Sequence, residues 1–406
     1  MKPLRSLACV IALVVFGLSF AAAPAQAASA SISLSPAKGP AGTTVTVTGT
    51  GFPKKGSGTV SAGASSAAFK VSASGYFTAD VVIPQTSQQV LDVQAVSGAV
   101  KASAGFTVIA AATEPSPTVI SSSPLRFGVG TPGGPLARDE LDQAASLAGE
   151  APSVILSYKD FNQSPPIAEL DAVRTRGAMT LVTWEPWAWG GGPEQPAYAL
   201  KRISAGNFDA YLREWGTALA SWGHPVMLRF GHEMNGNWYP WAEGINGNEP
   251  GDFAAAWRHV HDVVAATGAT NISWVWNPNV PYWGSTPLDG LYPGSAYVDA
   301  VALDGYNWGT SAAWSSWVPP SELFGDGLAE MRRLAPGKEV LVAETASAEQ
   351  GGSKADWNTA LISYLAAQAD VTAVVWFNFN KETDWRINSS TGSATALRSA
   401  LAARPH

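Results

Sequence analysis

From residue 125 onward the chain repeats one pattern: a short apolar run, then a stretch with helical periodicity. The runs are Leu125–Val129, Ser153–Leu156, Met179–Trp184, Val226–Phe230, Ile272–Trp276, Val298–Leu303, Val340–Ala343 and Ala373–Phe377. Between them, Phe208, Tyr211, Leu212, Trp215, Leu219 and Trp222 recur at helical spacing, as do Phe253, Trp257, Val260 and Val264. Continuous apolar runs suit strands buried on both faces, as in a parallel sheet covered by helices. Eight such strands predict an α/β domain of the (β/α)8 barrel type over residues 125–406. An open, doubly wound sheet is the competing arrangement. Its dinucleotide-binding form is disfavoured, because Gly128-x-Gly130 runs into Thr131-Pro132 and does not open a helix.

The preceding residues follow another rule. Val45-Thr46-Val47-Thr48 alternates at period two, as do Phe77, Ala79, Val81 and Ile83, and Leu91, Val93 and Ala95. Gly, Pro and Ser clusters separate these runs, which predicts a small all-β sandwich over residues 28–109. The stretch from Ser35-Pro36 through Gly39-Pro40-Ala41-Gly42-Thr43 to Gly49-Thr50-Gly51-Phe52 resembles the opening of immunoglobulin-like domains of the IPT/TIG kind. A spacer or stability module is the plainer role for it, since it has no Trp to offer a sugar. Residues 110–124, with Pro115, Pro117 and Ser121-Ser122-Ser123, read as a semi-stiff linker. At the start, Lys2 and Arg5 precede an apolar stretch from Leu7 to Phe20, and Ala25-Gln26-Ala27 offers a small-residue cleavage site. Residues 1–27 are therefore expected to be a secretory signal, and the protein to be extracellular.

The one cysteine, Cys9, falls inside that leader. Disulfides, thiolate catalysis and cysteine-held metals are thus not expected in the mature chain. Charged residues are 14 % of the total and the net charge is -7, which disfavours nucleic acid or an anionic membrane as partner. No later stretch is long and apolar enough for a membrane span. The unusual figure is 17 Trp. Some belong to the core, but bulk alone needs no indole N–H, so part of this set is expected as exposed platforms for sugar rings.

In a barrel of this type the active site lies at the C-terminal ends of the strands. Polar and aromatic residues crowd there. The third run leads into Glu185-Pro186-Trp187 and the fourth, through Arg229, into Gly231-His232-Glu233 and on to Trp238-Tyr239-Pro240-Trp241. The sixth leads into Asp304-Gly305-Tyr306-Asn307-Trp308, the seventh into Glu344-Thr345, and the eighth ends at Trp376-Phe377. Glu233 and Glu344 would face one another across the barrel mouth. Paired carboxyl groups are what glycoside hydrolysis requires, one to protonate the leaving oxygen and one to attack carbon or activate water. Arg229 and Tyr306 near Glu344 would favour its anion, while apolar neighbours and the charge of Glu344 would raise the pKa of Glu233. Each residue also has a plainer reading. His232 could be a packed support and Tyr306 a core residue. Trp187, Trp241 and Trp308 are balanced between core and platform. Glu185 and Asp304 are balanced between binding groups and rim hydrogen-bond partners.

The run His232 to Trp241 resembles family 26 of the glycoside hydrolases, within a large clan of retaining (β/α)8 enzymes. Most of that clan carries Asn before the acid/base, whereas family 26 carries His, as here. The resemblance covers the whole segment after the linker. It implies Glu233 as acid/base and Glu344 as nucleophile. It further implies His232 as a sugar contact, Tyr306 as a hydrogen-bond donor to the nucleophile, Arg229 as an organiser of that network, and Trp238 and Trp376 as walls of the nearest subsites. Family members cut β-1,4-mannans, mixed-linkage β-glucans or β-1,3-xylan. Mannanases commonly follow the acid/base with Thr-Gly and place a His at the end of strand three. Here Met234-Asn235-Gly236 and Trp184-Glu185-Pro186-Trp187 stand in those places, closer to the glucanase-like branch. The resemblance thus implies a secreted retaining endo-β-glycanase, with β-glucan slightly ahead of mannan. Mannose and glucose differ at one hydroxyl, so few contacts decide between them.

No cofactor or metal is expected. His232-Glu233 does not begin a metalloprotease motif, because Gly236 stands where the second His belongs, and His259 and His261 diverge on their helix. A monomer acting on polysaccharide is expected. A glycan-binding protein without catalysis, or a surface structural protein, are the readings from other classes. Both glutamates and the dense barrel motifs argue against them.

Overall fold

A computed structural model of the chain describes residues 29–39, 41–84, 86, 88–108 and 123–405. The expected leader and Cys9, and nearly all of the expected linker, lie outside the described residues. The chain divides into two compact units, Met1–Glu114 and Pro115–His406.

The first unit is a sandwich of two sheets. Its strands are β1 (Ser31–Ser35), β2 (Lys38–Gly39), β3 (Thr44–Thr50), β4 (Ser57–Ala62), β5 (Ser65–Lys70), β6 (Phe77–Val82), β7 (Val90–Ser97) and β8 (Val100–Val108). One sheet has the order β1-β3-β6 and the other β2-β8-β7-β4-β5. The period-two alternation aims Val45, Val47, Phe77, Val81, Val93 and Ala95 inward. Phe69 and Phe77 stack at 3.6 Å, and Phe52 meets Phe77 edge-on at 5.0 Å. Gly49 makes room for this cluster: a Cβ there would lie 2.0 Å from the Phe77 ring.

The second unit is a closed parallel barrel of the expected eight strands. These are β9 (Arg126–Gly130), β10 (Val154–Asp160), β11 (Met179–Glu185), β12 (Val226–Phe230), β13 (Ile272–Trp276), β14 (Ala300–Asn307), β15 (Glu339–Ser347) and β16 (Val371–Phe377). Side chains alternate between two cores. Val154, Leu156, Leu181, Met227, Val275, Ala300, Ala302, Leu341, Ala343, Ala373 and Val375 fill the interior. Their neighbours Ile155, Val182, Leu228, Val301, Leu303, Val342 and Val374 pack with the helices. Each large aliphatic side chain buried this way contributes about 1.5–3 kcal/mol. Gly128, a residue of the discounted Gly-x-Gly pair, is a strand glycine: a Cβ there would meet the Val154 carbonyl oxygen at 2.8 Å.

Helices cover the barrel where the apolar periodicity places them. Asp209–Trp222 buries Leu212, Trp215 and Leu219, and ends at Gly223 in the left-handed conformation. Asp252–Ala265 buries Phe253, Trp257, Val260 and Val264. Ser353 caps Lys354–Ala366 by accepting the Asp356 N–H. Among the described residues no helix is long and apolar enough to cross a membrane.

Three strands outrun their apolar runs by four residues each. β10 continues past Leu156 to Asp160, β14 past Leu303 to Asn307 and β15 past Ala343 to Ser347. These extensions deliver polar side chains to the mouth. At β15 the delivery needs an irregularity. Leu303 pairs with Val342, but Asp304 pairs with Glu344, so Ala343 is an extra residue, a β-bulge. Ala343 already points inward. Strict alternation would send Glu344 toward the helices, and the bulge returns it to the mouth.

Candidate active site

Inward alternation continues above the interior core into a polar layer. Tyr158 on β10, Thr183 and Glu185 on β11, Arg229 on β12, and Asp304 and Tyr306 on β14 follow the parity of the inward residues below them. Arg229 is the hub and is fully buried. Its Nε donates to Thr183 Oγ1 at 2.9 Å, its Nη1 to Asp304 Oδ2 at 2.9 Å and Asn277 Oδ1 at 3.0 Å, and its Nη2 to Glu344 Oε1. Burial alone would lower its pKa, but the charges of Asp304 and Glu344 outweigh it and hold the guanidinium protonated. A planar donor fork suits this simultaneous grip on several oxygens.

Glu344 receives two further donors. Tyr158 Oη donates to Oε1 at 2.7 Å and Tyr306 Oη to Oε2 at 2.6 Å. Burial first, then the charge of Glu344, push both phenols well above their usual range, so they stay donors. With Arg229, three donors fix one carboxylate.

Glu233 is held differently. It follows Gly231 and His232 beyond the end of β12, and its φ of 53° is left-handed, an unusual conformation for a glutamate. Its N–H donates to the Asn277 carbonyl at 2.8 Å. Trp238 Nε1 donates to Oε2 at 2.8 Å and Asn279 Nδ2 to Oε1 at 2.9 Å. Burial, then the nearby charge of Glu344, raise its pKa to about 7, against the opposing hydrogen bonds from Asn279 and Trp238. The two glutamates thus share a mouth but not an environment: one is gripped by a cation and two phenols, the other is proton-retaining.

His232 lies buried against Tyr239 and Trp241, with ring centroids 4.8 and 5.9 Å away. Burial first and then Arg229 push its pKa well down, so the imidazole is neutral. Its Nδ1 has no hydrogen-bond partner and stands 4.0 Å from Glu185 Oε1. Glu185 is itself buried, accepts from Trp189 Nε1, and is raised to about 7 by burial. Asp304 is buried as the partner of Arg229, which makes it a member of the supporting network.

The tryptophans divide. Trp238 is partly exposed beside Glu233, and Trp187 is partly buried, edge-on to Trp241 and Tyr239. Trp308 packs against Trp385 and Trp314. Trp241 is fully buried, its N–H taken by the His232 carbonyl. Trp376 departs from the expected subsite wall. It shares the helix-facing parity of Val374, its N–H goes to the Trp385 carbonyl, and Lys354 of the helix Lys354–Ala366 lies over its ring at 5.8 Å. Phe377 instead meets Tyr306 edge-on at 5.6 Å.

Tyr158, Asn277 and Asn279 were not among the expected site residues. Tyr158 lies two residues past an apolar run that stops at Leu156. Asn277 directly follows Trp276 and Asn279 comes two residues later, so the rule that singled out Glu233, polar residues after a buried strand, also points to them. His232, Asp304 and Glu344 bring donor atoms within 4.8 Å of one another, close enough for a metal. The positive charge between the two carboxylates is supplied by Arg229.

Comparison with known proteins adds three findings. Residues 196–369 match the model of glycosyl hydrolase family 26, and residues 31–124 that of the IPT/TIG domain. Endoglucanase H of Acetivibrio thermocellus is 41 % identical over 251 residues, covering 60 % of this chain and 26 % of that protein. Mannan endo-1,4-beta-mannosidase A and B of Caldalkalibacillus mannanilyticus is 37 % identical over 90 residues, 21 % of this chain and 17 % of that protein. This chain therefore spans about a quarter or less of either relative. Among solved structures, the catalytic domain of a family 26 endo-beta-1,4-mannanase of Bacillus sp. JAMB-750 superposes with a TM-score of 0.52 at 18 % identity, covering 68 % of this chain and 85 % of that one. That likeness speaks for the barrel fold.

Proposed function

We propose that the protein is a retaining endo-β-glycanase of glycosyl hydrolase family 26, whose model residues 196–369 match, and that it hydrolyses β-1,4 linkages in plant-type polysaccharides. The observation that carries this is the contrast between the two buried glutamates. Glu233, raised to about 7, keeps a proton to give. Glu344 is aimed by Arg229, Tyr158 and Tyr306.

In the first step a Glu344 oxygen bonds to the anomeric carbon as the glycosidic C–O bond breaks. The departing oxygen keeps the bonding pair and takes the Glu233 proton. In the second, ionised Glu233 removes a proton from water, the water oxygen bonds to the anomeric carbon, and the ester to Glu344 breaks. Tyr158 and Tyr306 hold the Glu344 carboxylate in line for attack. As the ester forms, the negative charge they faced diminishes, and it returns when the ester breaks. The left-handed backbone at Glu233 fits a position where direction matters more than conformational ease.

Mixed-linkage β-glucan is the favoured substrate. The longer similarity is to a protein named an endoglucanase, and Glu185 stands where mannanases commonly carry His. Mannan is the alternative, supported by shorter matches to mannan endo-1,4-beta-mannosidases. The leader-like residues 1–27 support secretion, which N-terminal sequencing of protein from culture medium tests.

Reducing-sugar release from barley β-glucan, konjac glucomannan, galactomannan and β-1,3-xylan tests the reading, with wild type beside Glu233→Ala and Glu344→Ala. Activity on β-glucan lost in both variants is expected, with the β anomer released first by NMR. Full activity in either variant would reassign that glutamate. An α anomer released first would exclude retention.

A further inference from the structure

The acid/base glutamate is wired to a neighbouring loop that ends in an exposed indole. Asn279 donates to Glu233 Oε1, and its own N–H donates to Asn235 Oδ1 at 2.9 Å. Asn235 Nδ2 returns a bond to the Asn279 carbonyl at 2.9 Å, and the Thr286 N–H donates to the Asn235 carbonyl at 2.9 Å. These bonds fasten residues 279 and 286 to the Glu233 turn at both ends of the loop. The tip between them is tight. The Ser285 N–H donates to the Tyr282 carbonyl at 3.0 Å, the Ser285 hydroxyl to the same oxygen at 2.9 Å, and Gly284 supplies the left-handed residue at φ 91°.

On this braced tip Trp283 is 99 % exposed. A lone exposed apolar residue is ordinary, but this one is not alone. Tyr282 is 42 % exposed and lies near-parallel to Trp238, with centroids 6.0 Å apart at 26°. Trp238 in turn donates to Glu233. An aromatic pair therefore starts at the proton donor, and the next residue along the tip is a fully open indole. The group that protonates the leaving oxygen sits on the departing sugar's side of the bond, so these rings lie on the aglycone side. A rigid aromatic face loses little conformational freedom on binding and suits the apolar C–H face of a pyranose ring.

We propose that Trp283, on the turn 282–285, is the stacking platform of an outer aglycone subsite, binding a sugar ring of a neutral β-linked glycan beyond the one that departs. The proposal rests on the functional reading above. It implies that binding extends well past the cleaved bond, as internal cutting of long chains requires.

Trp283→Ala removes an exposed side chain and leaves the hydrogen-bonded turn intact. The polymer that wild type cleaves best is compared with an aryl β-glycoside of the same sugars, whose leaving group fills only the place beside Glu233. A platform acts through binding, so KM for the polymer should rise about fivefold, the order of one aromatic contact, with hydrolysis of the aryl glycoside unchanged. An unchanged KM for the polymer, or an equal loss on both substrates, overturns the proposal. If wild type cleaves none of the polymers, the functional reading fails separately. The platform is then judged by affinity electrophoresis in gels containing barley β-glucan, glucomannan or galactomannan, with Glu344→Gln as the parent. Retardation lost on adding Trp283→Ala supports it. Equal retardation, or none in the parent, overturns it.

Discussion

Glu233→Gln keeps the shape of the side chain and removes its titration, so it isolates what the buried proton does for stability. The ordinary carboxyl value of 4.5 rises to about 7 in the folded protein. At about 1.4 kcal/mol per pH unit this displacement is worth about 3 kcal/mol. The folded state holds the proton more tightly than the unfolded chain. The associated stability is therefore fully present below about pH 4.5, falls as pH rises, and is gone above about pH 7. Glutamine titrates nowhere in this range. It has a single acceptor oxygen for the two donors Trp238 Nε1 and Asn279 Nδ2, and the orphaned donor costs about 1 kcal/mol at every pH. The variant should thus be about 1 kcal/mol less stable than wild type at pH 4 and about 2 kcal/mol more stable at pH 8. Urea unfolding followed by tryptophan fluorescence reads the barrel alone, because all 17 Trp lie beyond residue 124. A difference that stays constant with pH, or wild type gaining on the variant as pH rises, would refute the reasoning.

Since Glu185 also sits at about 7, the alkaline limb of the kcat/KM profile needs an owner. We expect it near pH 7 in wild type and unmoved in Glu185→Gln, and its loss there would make Glu185 the acid. Tyr158→Phe and Tyr306→Phe each remove one donor to Glu344. A drop in kcat of roughly tenfold to a hundredfold, read by steady-state kinetics with little change in thermal midpoint, is expected. Arg229→Met strands Asp304 in the interior and should destabilise the barrel by about 3–5 kcal/mol in urea titrations, with Asp304→Asn restoring much of the loss. Gly49→Ala should destabilise the sandwich while leaving tryptophan-monitored unfolding untouched, because a Cβ there would enter the Phe77 ring.

Periodicity exposed most of the architecture. Alternation through Val45-Thr46-Val47-Thr48 and from Phe77 to Ile83 located β3 and β6, and uninterrupted apolar runs located every barrel strand. Burial on both faces writes itself as composition, so these signals are local. Extensions past the apolar runs were harder to read. Tyr158, Asp304 and Tyr306 stand on strands, but polar residues at the mouth look like loop in one dimension. Asn279 obeys the rule that singled out Glu233, but its pairing with Glu233 could not be read, because their bond exists only once β12 and β13 lie side by side. Trp376 shows the reverse error. The family resemblance implied a subsite wall there, whereas parity assigns the side chain to the helix side.

Ala343 is an unremarkable residue with no functional atom, yet the heading of Glu344 depends on its being there as an additional member of β15. What aims the carboxylate is a count, the reading frame of the strand. Removing that one alanine would leave every recognised motif in print and turn the glutamate away from Arg229. A related chain lacking it would look intact to a search for its glutamates and still have that carboxylate turned out of the mouth. Insertions in the loops outside the barrel carry no such consequence. In this fold the tolerance of a position to length change and its tolerance to substitution are separate quantities: at position 343 an exchange alters interior packing, whereas a deletion shifts the frame that aims Glu344.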